Sequence, residues 1–148
     1  MTLNTFWPYF CYTLHMTETF IDKVALIYIK KKKLLGTRSH DKDTWYIPGG
    51  KREKNESDEQ TLIREIKEEL SVQIERNTLK HIGTYEAQAH GKPQGTRVRI
   101  ICYTALFKGE PKASSEIAEI GYFKASDKTL FSEVNQTMID DLVKRGLL

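Results

Sequence analysis

The sequence predicts one domain of the α/β (α+β) class. Three observations carry that prediction: apolar runs of strand length recur along the chain, two amphipathic stretches carry helix-start signals, and 148 residues leave little room for a second core. Apolar residues make up 39% and charged residues 29%, which excludes a disordered or fibrous chain. The net charge of +3 is too mild to announce a nucleic-acid polymer or a membrane surface as partner. Cys11 and Cys102 make neither a disulfide framework nor a CxxC pair, which suits a reducing, cytoplasmic setting. No apolar run approaches the ~20 residues of a spanning helix.

Residues 1–19 read as an N-terminal extension and residues 20–148 as the domain. Met1 to His15 carries no Asp, Glu, Lys or Arg, yet holds Phe6, Trp7, Tyr9, Phe10 and Tyr12. Pro8 interrupts the stretch, and the basic start and clean apolar run of a signal peptide are missing. Two readings stand. One is a flexible tail, or a start assigned too early with Met16 as the true beginning; the other is an aromatic arm packed on the domain or on a partner subunit.

From Phe20 onward the elements follow in order. Val24, Leu26 and Tyr28 alternate with Ala25, Ile27 and Ile29, an apolar run that reads as a buried strand. Lys30–Lys33 is a run of like charges, expected as a solvated hairpin tip leading into Leu34–Arg38. Trp45-Tyr46-Ile47 reads as a short strand stopped by Pro48-Gly49-Gly50. Ser57-Asp58-Glu59-Gln60 has capping-box spacing, and Leu62, Ile63, Ile66 and Leu70 then give the helix one apolar face. Strands are expected at Lys80–Ala89 and Arg97–Phe107, separated by the loop Gly91-Lys92-Pro93-Gln94-Gly95, and a short last strand at Ile120–Phe123. Ser132 is the expected cap of a closing helix carrying Met138, Ile139, Leu142 and Val143, with Gly146 as its stop.

Chemistry concentrates on the first helix. At about 100° per residue, Glu65, Glu68 and Glu69 share a narrow arc beside the apolar face. Glu65 and Glu69 are like charges at i,i+4, which disfavours the helix by a few tenths of a kcal/mol. Hard oxygen ligands converging on one point are what Mg²⁺ or Mn²⁺ requires, although a solvated acidic face has the same pattern. The preceding glycines let the backbone approach a metal or phosphate closely.

Gly50, five residues, Glu56, seven residues, then Arg64-Glu65-Ile66-Lys67-Glu68-Glu69-Leu70-Ser71-Val72 resembles the Nudix box, here spanning residues 50–72. The match departs once: Ser71 stands where the family has glycine. That position follows the helix, where a left-handed cap is common, so the departure costs stability and not a ligand. The resemblance implies a Nudix fold, a mixed β-sheet sandwiched between α-helices, and a loop–helix–loop that holds Mg²⁺ (or Mn²⁺) against a diphosphate. It implies Glu65, Glu68 and Glu69 as metal ligands, joined by the carbonyl of Gly49, and Glu56 with Arg64 as a structural salt bridge. Glu116 or Glu119 lies where relatives often supply a further carboxylate, as ligand or base. Glu65 is the expected general base, with Glu116 and Glu119 as rivals.

The implied activity is hydrolysis of a nucleoside diphosphate linked to another moiety, above all a MutT-like nucleoside triphosphate pyrophosphohydrolase acting on ordinary or oxidised purine nucleotides. A nucleotide-sugar or ADP-ribose-type pyrophosphatase is the first rival. A non-catalytic nucleotide-sensing module is the rival from another class, against which the intact box glutamates argue. The implied partner is a small nucleotide, with the chain a monomer or homodimer.

Substrate-binding candidates lie partly outside the box. Lys51, directly after the box glycine, is a candidate phosphate contact, and Arg38 belongs to a fragment of a longer upstream pattern. Arg97 and Arg99 share one strand face, turned either to the cleft or to solvent. Asn135 resembles the asparagine by which MutT-like enzymes read oxidised guanine; an amide both donates and accepts, although a helix-start Asn is an equally good reading. Tyr85, Tyr103 and Phe131 are candidates to stack on a base or to fill the core. His15, His40, His81 and His90 show no metal-ligand spacing and read as surface or core residues.

Overall fold

A computed structural model describes residues 18–148. The expectations for Met1 to His15 lie outside the described residues.

The apolar run at Val24 forms the end of strand β1 (Thr19–Leu26). It pairs in parallel with β7 (Thr96–Thr104), which pairs antiparallel with β6 (Lys80–Gln88). The two-residue β4 (Gly49–Gly50) closes the other edge, giving a mixed sheet in the order β4-β1-β7-β6. Two helices flank it: α1 (Asp58–Leu70) and α2 (Glu133–Lys144).

Period-2 alternation explains the layering. Val24 and Leu26 pack with Leu62, Ile66 and Leu70 of α1. Ala25 and Ile27 pack in a second core with Val134, Met138, Ile139 and Leu142 of α2. One strand therefore feeds two cores, and the sheet lies between the helices as the Nudix resemblance implied.

A second sheet adds β2 (Ile29–Lys30), β3 (Lys33–Ser39) and β9 (Ile117–Phe123) in that order. The lysine run is its hairpin tip: Lys31 and Lys32 have φ of 51° and 58°, the left-handed pair of a two-residue turn. A small ribbon pairs β5 (Gln73–Ile74) with β8 (Phe107–Lys108).

Three sequence expectations are corrected. Trp45-Tyr46-Ile47 makes only isolated bridges, Tyr46 to Thr37 and Trp45 to Phe131. The strand expected over Arg97–Phe107 ends at Thr104, because Phe107 turns away to pair with Ile74. The last strand starts at Ile117, three residues earlier than expected.

Both ends of α1 are as expected. Ser57 Oγ accepts from the Gln60 N–H and the Gln60 side chain accepts from the Ser57 N–H. Ser71 ends the helix in the left-handed region, φ 57° and ψ 28°.

Candidate active site

The buried face of α1 aims Glu65 and Glu69 across β4 into a cleft of about 500 Å³. The glycine pair makes this approach possible. Gly49 has φ of 144°, and a Cβ there would strike the Val24 carbonyl; a Cβ on Gly50 would overlap the Glu65 carboxylate itself. With no side chain in the way, the Gly49 N–H donates to Glu69 Oε2 at 2.9 Å.

A third carboxylate, Glu116, comes from the residue just before β9. A register shift between Arg38 and Ser39 bends the β3–β9 pair, and the His40 N–H donates to the Glu116 carbonyl at 3.0 Å. The Ser114 and Lys112 N–H groups cap the carbonyls of Glu69 and Leu70, tying this segment to the end of α1. Carboxylate oxygens of Glu65, Glu69 and Glu116 thus lie within 4.8 Å of one another.

Glu69 is 5% exposed. Burial pushes its pKa up to about 8; the Gly49 N–H opposes the rise, and the charges of Glu116 and Glu65 add to it. Three acids this close, one of them desolvated, repel one another unless a cation joins them. The donor set is carboxylate oxygen only, with no histidine or cysteine in the cluster, and it fits a hard divalent cation.

Arg64 braces the assembly. Its Nε and Nη2 donate to the two oxygens of Glu56 at 2.7 and 2.8 Å, its Nη1 to Glu65 Oε1 at 2.8 Å, and its Nη2 to the Lys51 carbonyl at 3.1 Å. Glu56 also accepts from the Glu53 N–H and the Thr61 hydroxyl, and the Arg64 guanidinium holds its pKa down at about 2.

Beside the carboxylates the cleft is lined by Lys23, Lys42, Lys51 and Lys92. Burial and then the charge of Lys51 lower the Lys23 pKa, while Glu69 and Glu65 partly offset this. At the α2 end the cleft is lined by Asn135, 1% exposed. Its Oδ1 accepts from the Ser132 hydroxyl at 3.0 Å and from the Ile47 N–H at 3.4 Å. A backbone N–H can only donate, so the amide oxygen faces Ile47 and its Nδ2 is left buried with no hydrogen-bond partner among the described residues.

A sequence profile described as NUDIX domain matches residues 21–141, most of the chain. The chain belongs to that family. The Nudix fold recurs in the solved MutT NUDIX hydrolase of Burkholderia pseudomallei, 22% identical with a TM-score of 0.68 over 83% of this chain and 98% of that one. It recurs again in the MutT protein of Methanosarcina mazei Go1, 17% identical with a TM-score of 0.70 over 87% of this chain and 96% of that one. An 8-oxo-dGTP diphosphatase of Proteus vulgaris is 40% identical over 58 residues, a segment spanning 39% of this chain and about half (49%) of that relative.

Against the expectations of the Nudix box, the structure brings together Glu65, Glu69 and Glu116, and puts Gly49, Lys51 and Asn135 around the same cleft. Glu56 and Arg64 form the salt bridge that the resemblance implied. Other expected residues lie elsewhere. Glu68 is half-exposed, within 3.5 Å of Arg64 and outside the carboxylate triad. Glu119 is the cross-strand partner of Arg38, and their side chains form an ion pair outside the cleft lining. Arg97 and Arg99 lie on the face of β7 opposite cleft-lining Val98 and Ile100, paired with Glu86. Tyr85 bonds Asp141, Tyr103 bonds Asp58 and Phe131 packs on Phe123, so none of these rings lines the cleft.

Lys23, Lys42, Tyr46, His90 and Lys92 line the cleft unforeseen. Lys23 alone left a signal: it holds an inward position in the alternation Ile21, Lys23, Ala25, where a charge has no place in an apolar core. His90 and Lys92 sit on a loop whose direction no local pattern encodes.

Proposed function

We propose that this chain is a divalent-cation-dependent pyrophosphohydrolase that cleaves a nucleoside triphosphate to the monophosphate and pyrophosphate, with guanine or oxidised guanine as its base. The buried, unpartnered Nδ2 of Asn135 carries the base assignment. Asn135 lines the cleft, and a 6-keto purine would offer this donor an acceptor where adenine and cytosine present amino groups. The name of the Proteus vulgaris relative, an 8-oxo-dGTP diphosphatase, supports the same reading.

Glu65 and Glu69 are the proposed ligands of Mg²⁺ or Mn²⁺, with Gly49 contributing at the backbone and the Glu116 carboxylate beside them. Bound there, the cation neutralises phosphate charge and lowers the pKa of water beside it. Glu116 is the proposed general base: it is exposed to the cleft and takes no side-chain partner among the described residues, whereas Arg64 engages Glu65 and Arg38 engages Glu119. It accepts the proton of the attacking water as that water's oxygen bonds to phosphorus and the P–O bond of the α–β anhydride breaks, releasing nucleoside monophosphate and pyrophosphate. Arg64 holds Glu65 and the Lys51 carbonyl in place, and the Lys51 ammonium faces phosphate oxygen.

The deciding experiment is Asn135→Ala assayed on guanine, 8-oxoguanine, adenine and cytosine triphosphates. Loss of the buried donor is expected to cost about 1–3 kcal/mol of kcat/KM on the two guanine nucleotides and little on the others. A uniform loss over all four would refute the base assignment.

A further inference from the structure

The end of the domain away from the cleft is cationic. The β2–β3 hairpin pairs Lys30 with Lys33 and turns through Lys31 and Lys32, and all four side chains are exposed. Leu34 pairs with Phe123, so Lys124, exposed and next along the chain, extends the row of Lys30 and Lys33. Lys32 Nζ donates to the Gly146 carbonyl at 2.9 Å, which joins the hairpin tip to the end of α2, where Lys144 is exposed. None of these lysines has an ion pair among the described residues: Asp140 is taken by Lys128 and Asp141 by Arg145. Asp127, which accepts from the Lys124 N–H, Glu110 near Tyr122 and the Leu148 carboxylate offset their charge only in part. The net charge of +3 conceals this asymmetry.

The turn itself is built against local preference. A two-residue hairpin loop with φ > 0 at both positions favours Asn-Gly, whereas Lys31 and Lys32 hold φ of 51° and 58°. Each such side chain costs roughly 1 kcal/mol. The exposed bond from Lys32 offsets little of this, and the Lys31 side chain gains no hydrogen bond among the described residues. Nor does the cleft use these charges. Thr37 and Ser39 line it at the other end of β3, and the length of that strand sets Lys33 about 20 Å from Ser39.

We propose that this cationic end is a docking surface for the phosphate backbone of a nucleic acid, held without regard to base sequence. A protruding tip meets a regular array of phosphates without a groove, and lysine acts there as a point charge. Contacts to phosphate carry no sequence information. A bilayer fits less well, because the apolar neighbours of the tip, Ile29 and Leu34, pack inward on the α2 core and leave nothing to insert. Docked this way, the protein keeps its cleft clear of the polymer and open to small nucleotides. Such docking is independent of which nucleotide the cleft hydrolyses.

The test is fluorescence anisotropy of a labelled DNA duplex of about 20 base pairs, titrated with protein from about 50 to 200 mM salt. The wild type is expected to bind with a Kd of tens of micromolar at the lowest salt, and log affinity to fall against log salt with a slope of about −4, as for roughly four neutralised phosphates. Lys31→Asn combined with Lys32→Gly gives the turn its preferred residues. Binding should weaken about tenfold and the slope drop to about −2, while the melting temperature rises and nucleotide kcat/KM is unchanged. Should that variant lose stability instead, Lys30→Gln combined with Lys33→Gln leaves the turn untouched and carries the same binding expectation. Lys80→Gln combined with Lys108→Gln, exposed on β6 and β8, removes equal charge elsewhere and should change affinity less than about twofold. No duplex binding by the wild type, an equal loss in the Lys80 and Lys108 variant, or binding of phosphatidylserine vesicles or polyglutamate in place of the duplex overturns the proposal.

Discussion

Replacing Glu69 by glutamine is expected to stabilise the metal-free protein while abolishing its chemistry. Glu69 is 5% exposed and lies against two further carboxylates, and its folded pKa stands near 8 against an ordinary 4.5. For an acid whose pKa is raised by folding, the effect on stability is a penalty. It is absent below about 4.5, where folded and unfolded chains are both protonated, and grows as pH rises toward 8 because only the unfolded chain releases the proton. At pH 7 the gap is worth about 3 kcal/mol, taking ~1.36 kcal/mol per pH unit. Glutamine removes the titration, keeps the shape, and retains an oxygen to accept from the Gly49 N–H. Urea unfolding of both proteins in EDTA, from pH 4 to 8, measures the difference directly. Glu69→Gln should match the wild type near pH 4.5 and exceed it progressively above, while kcat in Mg²⁺ falls by about two orders of magnitude. A variant less stable than the wild type at pH 7, or a difference that does not change with pH, would refute the electrostatic account of the triad.

Three further outcomes follow from the same geometry. EDTA should abolish hydrolysis, and Mg²⁺ or Mn²⁺ should restore it and raise the melting temperature, since the cation relieves the triad's repulsion; full activity in EDTA contradicts the ligand assignment. Glu56→Gln should lower the melting temperature at pH 7 far more than it lowers kcat/KM. Because the folded pKa of Glu56 is depressed to about 2, its contribution is present above 4.5 and lost as pH falls toward 2, so wild-type and variant melting curves should converge in acid. Ser71→Gly should stabilise the protein by about 1 kcal/mol in urea titration, because serine there sits at φ 57°, a left-handed conformation in which its Cβ is strained.

Local chemistry was legible from sequence because it acts over one or two helical turns. The capping box at Ser57, the left-handed stop at Ser71 and the Glu56–Arg64 pair all depend on residues at most eight positions apart, and each is present as expected; of the expected arc of Glu65, Glu68 and Glu69, the first and last reach the cleft and Glu68 does not. The alternation around Val24 likewise foretold a strand buried on both faces.

Convergence was decided by tertiary structure. Glu116 joins the triad and Glu119 does not because a register shift in β3–β9 and the capping of α1 by residues 112–114 set where β9 begins. Arg97 faces away from the cleft through the parity of β7, which its pairing with β1 and β6 anchors. Lys23, Lys51 and Lys92 meet only once β1, the β4 turn and the β6–β7 loop are assembled. Asn135 sits in the first turn of α2, and a contact from the distant Ile47 N–H joins that of the N-cap Ser132 on its oxygen, leaving a buried donor without a hydrogen-bond partner among the described residues. Helical periodicity is a property of neighbouring residues, whereas strand register and loop direction come from pairings between distant segments, where a slip of one residue turns every side chain to the opposite face.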